Sequence, residues 1–158
     1  MKSKDELFLH RAVELAQQGM QNNEGGPFGA LIVKDDEIIS EGINKVTSNN
    51  DPTAHAEILA IRKACEKLNR FHLDGYTLYT SCEACPMCFG AIYWSKIKRV
   101  VFASTREDAD MINFNDNFIY RELELPIEKR SIEFNHIPLD EALSLLKNWV
   151  NKEDRTEY

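Results

Sequence analysis

The chain predicts an α/β fold in which a mixed sheet lies between helices, a three-layer αβα sandwich. Three observations carry this. Apolar residues recur with helical and strand periods in alternation, in the order α-β-β-α-β-α-β-α-β-α. The 158 residues suffice for one domain with a full-sized core. Hydrophobic content of 43% and charged content of 28% belong to ordinary folded chains, which sets disordered and fibrous classes aside. No internal repeat, low-complexity stretch or linker interrupts the pattern, so residues 1–158 read as one domain with 151–158 as a charged tail.

The elements follow in order. Residues 4–20 place Leu7, Val13, Leu15 and Ala16 among polar neighbours, as an amphipathic helix does, and Gly25-Gly26-Pro27 ends it. The apolar runs 28–33 and 38–43 flank Lys34-Asp35-Asp36-Glu37, which reads as a hairpin with an acidic turn. A polar loop over 47–53 leads into a helix over 55–68, where Ile58, Ile61, Ala64, Cys65 and Leu68 keep helical spacing. Residues 76–80 alternate as a short strand. Pro86 suits the first turn of a helix running to Trp94. Residues 99–103 form a buried-strand run, and 105–117 are polar and irregular. A short helix over 118–123, a fifth strand over 132–137 and a helix over 138–150 complete the chain.

Net charge is −7 and the pI about 5.1. An acidic surface repels phosphate backbones, which argues against a nucleic-acid partner; Ser95-Lys96-Ile97-Lys98-Arg99 is the one short basic cluster. No apolar run approaches the roughly 18 residues that span a bilayer, so no membrane partner is expected. The N-terminal stretch lacks the apolar core of a signal peptide. These features point to the cytoplasm, where clustered thiols read as metal or redox sites before disulfides.

Two short motifs carry chemistry. His55-Ala56-Glu57 opens one helix and Cys85-Pro86-Met87-Cys88 opens another. Cysteines at i and i+3 in a first turn point the same way, and the positive end of a helix stabilises thiolates. One His and two Cys make three protein ligands and leave a fourth position for water, the donor set of a catalytic zinc. Glu57 sits two residues past His55, so it does not share the metal; it is placed to act as a proton shuttle beside it. Taken singly, an H-x-E is a common capped helix start and a C-x-x-C can be redox-active or buried. Together, each at a helix start, they favour zinc. Cys82 competes as a third thiolate that would close the shell into a structural site, although the end of a strand turns it elsewhere. An iron–sulfur cluster would need Cys65, whose spacing is that of a buried helix position.

The two motifs resemble the H-x-E…P-C-x-x-C signature of the zinc-dependent cytidine deaminase superfamily. One departure is plain: Ala84 stands where the pattern has proline. The likeness extends over nearly the whole chain. Gly26-Pro27-Phe28-Gly29-Ala30, residues 49–57, residues 88–94 and Phe118-Ile119-Tyr120 look like those of the small bacterial guanine deaminases. That family implies a cytidine deaminase-like fold with a five-stranded mixed sheet, a homodimer, and zinc-dependent hydrolysis of guanine to xanthine and ammonia in purine catabolism.

Carried over position by position, the resemblance makes His55, Cys85 and Cys88 the zinc ligands. Water activated there would attack C2 of the purine, and Glu57 would protonate N3 and then the departing 2-amino group. Asn44 would meet a ring edge, with a turn residue as the plain alternative. Phe28 would lie against the ring, or simply pack. Ala56 and Trp94 would adjoin the base, Trp94 otherwise packing its helix. Asp116 would accept from N1 and the 2-amino group; a helix-cap aspartate is the bland alternative, and Asp108 and Asp110 are neighbouring candidates. The tail ending in Tyr158 would close over the substrate, from the same chain or exchanged from a partner, against the default of a loose terminus. A tRNA adenosine deaminase, another nucleobase deaminase and a closed structural zinc module are the competing readings.

Overall fold

Ser3 starts the first helix with a capping box: its hydroxyl accepts from the Glu6 N–H while the Glu6 carboxylate accepts from the Ser3 N–H. From there the computed structural model, which describes residues 2–158, runs through α1 (Lys4–Gln21), β1 (Gly29–Lys34) and β2 (Glu37–Ile43). Next come α2 (Val46–Asn49), α3 (Ala56–Leu68), β3 (Thr77–Cys82), α4 (Pro86–Trp94) and β4 (Arg99–Ser104). The remainder is helical: α5 (Arg106–Asp110), α6 (Asp116–Glu124), a 3-10 turn at Ile127–Lys129, and α7 (Asp140–Asn151). The chain divides into two units, Met1–Ile119 and Tyr120–Tyr158.

In the first unit the sheet order is β2-β1-β3-β4. Strand β1 is antiparallel to β2 and to β3, whereas β3 and β4 run parallel. The hairpin turns through Asp35 and Asp36, both at positive φ (48° and 64°), a backbone that aspartate tolerates better than most residues. The parallel pair needs a crossover, and α4 supplies it.

Side chains alternate across the sheet, so each strand feeds two cores. Leu31, Val33 and Tyr79 pack with Ala12 and Leu15 of α1 on one face. Ala30, Ile32 and Leu78 pack with Ala56, Ala60 and Ile61 of α3 and Cys88 and Ile92 of α4 on the other. The unit is therefore a three-layer sandwich. Two glycines set how closely the layers approach. A Cβ at Gly29 would sit 2.3 Å from the Ala12 carbonyl oxygen, and one at Gly42 would sit 2.0 Å from that of Ala56. Strands β1 and β2 can lie against helix backbone only because both positions lack a side chain.

Among the described residues the sheet has four strands, which corrects the expected five. Residues 132–137 carry the alternation of a strand but no hydrogen-bonded partner. Ile132, Phe134 and Ile137 are exposed at 69%, 52% and 75%. Period-two patterning makes a segment capable of pairing; a strand exists only where a neighbouring edge completes its hydrogen bonds. Two short helices form where the sequence predicts irregular chain: α2 at the polar loop and α5 after β4. In the second unit, α7 has the acidic first turn Asp140-Glu141. No helix among the described residues is long and apolar enough to cross a membrane.

Candidate active site

The Asp51–Glu57 segment folds by local hydrogen bonds. The Asp51 carboxylate accepts from the Thr53 N–H (2.8 Å) and hydroxyl (2.7 Å), and the Ala54 N–H donates to the Asp51 carbonyl. This turn delivers His55 as the N-cap of α3, with extended backbone (φ −70°, ψ 153°), so its ring leaves the helix axis. Cys85 is the N-cap of α4, followed by Pro86 at a position where a missing N–H costs no helical bond. Cys88 follows three residues later and is fully buried.

The two helix starts bring three metal-ligating side chains together. The nearest ligand atoms of His55, Cys85 and Cys88 all lie within 4.8 Å of one another. His55 Nδ1 is 3.5 Å from each sulfur. The Cys88 thiol and the His55 ring both hydrogen-bond to Cys85, pulling its thiol down to about 4, while that same interaction and burial push Cys88 up. The Cys85 thiolate in turn raises His55. Two sulfurs beside an imidazole form a donor set that a single soft-to-borderline dication satisfies, so these residues fit the metal the sequence implies. Cys82 stands outside this cluster. Its thiol donates to the Thr105 carbonyl (3.5 Å), and burial, then the Glu57 and Asp116 carboxylates, raise it to about 11.

Glu57 lies in the first turn of α3, and only 6% of it is exposed. One carboxylate oxygen accepts from the Thr80 hydroxyl (3.2 Å) and the other from the Cys88 thiol (3.5 Å). Burial pushes its carboxyl above the usual range, which suits a group that must hold and return protons near neutrality. A small pocket opens over it. Phe28, His55, Glu57, Cys85 and Asp116 line this pocket, together with two residues that sequence reasoning did not assign, Glu83 and Phe114. The Phe114 ring stands edge-on to Phe28, centroids 4.8 Å apart at 89°. Burial, then the Cys85 thiolate, raise Asp116. For Glu83 the available signal was its place two residues before Cys85 in Cys82-Glu83-Ala84-Cys85. For Phe114 it was its place two residues before Asp116.

Other expected site residues lie outside the lining. Asn44 is buried and its side-chain oxygen accepts from the N–H groups of Gly26 (3.1 Å) and Val46 (3.2 Å), so the amide braces two loops. Ala56 is buried in the core on the α3–α4 face. Ala84, the departure from the proline pattern, packs in the same cluster. Trp94 is 67% exposed, and Tyr158 belongs to the second unit. Asp108 caps α5 through Thr105 and Asp110 accepts from the Asn117 amide, so neither lines the pocket.

The profile of the cytidine and deoxycytidylate deaminase zinc-binding region matches residues 2–104. The chain belongs to this deaminase family. Within the family it is 54% identical over 153 residues to the guanine deaminase of Bacillus subtilis (strain 168), covering 97% of this chain and 98% of that one. It is 36% identical to the tRNA-specific adenosine deaminase of Aquifex aeolicus (strain VF5), with 93% and 94% covered. The X-ray structure of guanine deaminase from Bacillus subtilis superposes with a TM-score of 0.95 at 52% identity, covering 100% of this chain and 99% of that one. The deaminase fold is thereby the same, and the α/β expectation stands apart from its strand count.

Proposed function

We propose that this deaminase hydrolyses guanine to xanthine and ammonia. The observation that carries the reading is one pocket shared by two carboxylates, Glu57 and Asp116, an aromatic wall and the His/Cys/Cys cluster. The 54% identity to a guanine deaminase, over nearly the full length of both chains, supports the choice of base. His55, Cys85 and Cys88 would hold zinc, which when bound supplies a Lewis acid that brings the pKa of water near 7.

The chain's own residues do the rest. Phe28 offers its ring to the base, a stacking contact worth roughly 1–3 kcal/mol. Asp116 accepts from N1–H and from the 2-amino group, which fixes the face and register of the base. Glu57 takes a proton from the attacking water and gives it to N3. A C2–O bond forms and the C2–N bond breaks. Glu57 then returns the second proton to the amine, which leaves as ammonia. One carboxylate thus serves as base and as acid.

An ammonia-release assay tests this. The zinc-loaded protein is offered guanine, cytosine, adenine and a tRNA anticodon stem. Release from guanine alone is expected. Release from the adenosine of the stem instead would move the chain to the tRNA-specific group, against its net charge of −7. No release from any base, with zinc bound, would leave a structural module. The reading also places the enzyme in the cytoplasm and in purine catabolism, as a homodimer with the Tyr158 tail at the substrate. Sedimentation velocity and truncation after residue 151 test the last two: a monomer, or an unchanged KM, removes the respective element.

A further inference from the structure

Glu83 is a third carboxylate on the wall of the pocket, and neither the metal cluster nor the proton shuttle uses it. It sits where β3 ends and the chain turns toward Cys85. Its backbone reaches the last residue of β4 and its side chain the segment that follows. The Glu83 N–H donates to the Ser104 carbonyl at 2.8 Å. A Glu83 side-chain oxygen accepts from the Arg106 N–H at 3.1 Å. The Cys82 thiol adds a third link, to the Thr105 carbonyl.

The segment so held is a compact piece. Thr105 caps α5 in a reciprocal box with Asp108. The Phe114 N–H returns to the Ala109 carbonyl (3.1 Å), and the Asp116 N–H donates to the Phe114 carbonyl (3.0 Å). Asn117 closes the base of the segment by donating to the Asp110 carboxylate. Residues 105–117 therefore form one hydrogen-bonded unit that presents Phe114 and Asp116 to the pocket. Glu83 contributes the side-chain acceptor that fastens its start to the turn bearing Cys85.

We propose that Glu83 is a positioning residue: by accepting from the Arg106 N–H it registers the 105–117 segment, and with it Asp116, against the metal turn. Asp116's role in orienting the base rests on the proposed function; the registering of the segment does not.

The test uses zinc-loaded wild type, Glu83→Ala, Glu83→Gln, Asp116→Asn and the Glu83→Ala/Asp116→Asn double variant. Glu83→Ala is expected to keep stoichiometric zinc and to lose about 10–100-fold in kcat/KM, the scale of a displaced positioning group. Glu83→Gln keeps a side-chain oxygen for the Arg106 N–H and should recover most of that loss. In the double variant the two losses should not multiply, because one acts through the other. Fully multiplicative losses, or no rescue by glutamine, would overturn the proposal. The cycle is read on whichever base the wild type deaminates, so a wrong base defeats the functional reading alone. Amide hydrogen exchange needs no turnover: Glu83→Ala should raise exchange at Arg106, Phe114 and Asp116 together. Unchanged protection at Phe114 and Asp116 would also overturn it.

Discussion

Glu57 has the two properties a shuttle needs, a buried carboxyl and a place beside the His/Cys/Cys cluster, and each of its carboxylate oxygens accepts a hydrogen bond, one from Thr80 and one from Cys88. Glu57→Gln preserves that shape and removes the proton. It should keep stoichiometric zinc and lose about 10²–10⁴-fold in turnover; near-normal turnover would take Glu57 out of the mechanism. Cys82 shows the opposite case, a thiol raised to about 11 and already donating to Thr105. Cys82→Ser should therefore leave zinc content unchanged, and metal loss would restore the three-thiolate site. The spacing of His55, Glu57, Cys85 and Cys88 made the centre of the site legible, because each pair lies within one helical turn and its geometry is local. Phe114 and Glu83 were not legible as walls. Their place depends on how a polar segment folds back after β4, and neither hydrophobic period nor a ligand spacing encodes that.

Elements were legible where one periodicity ran uninterrupted, as in α1, α3 and the β1–β2 hairpin. The fifth strand failed because residues 132–137 have the pattern without the partner. Gly42 illustrates how element contacts reach the site. A methyl there would press on the Ala56 carbonyl, between His55 and Glu57. Gly42→Ala should cost about 1–3 kcal/mol as overpacking does and should lower turnover with it. Gly90→Ala is the control, since a Cβ at Gly90 meets nothing within 4 Å. It should stabilise by about 0.5–1 kcal/mol, the gain of alanine over glycine inside a helix. A second contact ties α1 to the sheet: Asp5 accepts from Arg99 (2.7 Å) and from the Tyr79 hydroxyl (2.6 Å), Arg99 first in lowering its carboxyl below the ordinary 3.8. A depressed carboxyl contributes stability that is fully present above its unfolded value and lost as pH falls through the folded one. Urea unfolding should thus separate wild type from Asp5→Asn at pH 7, and the gap should close below the folded value. A gap independent of pH would remove Asp5 from acid stability.

At the scale of the molecule, the proposed zinc would link metal and fold, because His55, Cys85 and Cys88 come from the starts of two helices on one face of the sheet. Free zinc at 100 times its Kd would add about 2.7 kcal/mol, and each kcal/mol moves Tm by roughly 2–4 °C in a chain of this length. A chelator should lower the Tm of the wild type and leave that of Cys88→Ser where it is; equal shifts in both would place the ion elsewhere. The family match ends at residue 104, and the self-bonded 105–117 segment begins at the next residue. His55, Glu57, Cys85 and Cys88 therefore lie within the matched stretch and Phe114 and Asp116 beyond it, with Glu83 and Cys82 hydrogen-bonded across the seam. Exchanging residues 105–117 would on the proposed reading replace two walls of the pocket, Phe114 and Asp116, and leave the His/Cys/Cys cluster and Glu57 as they stand.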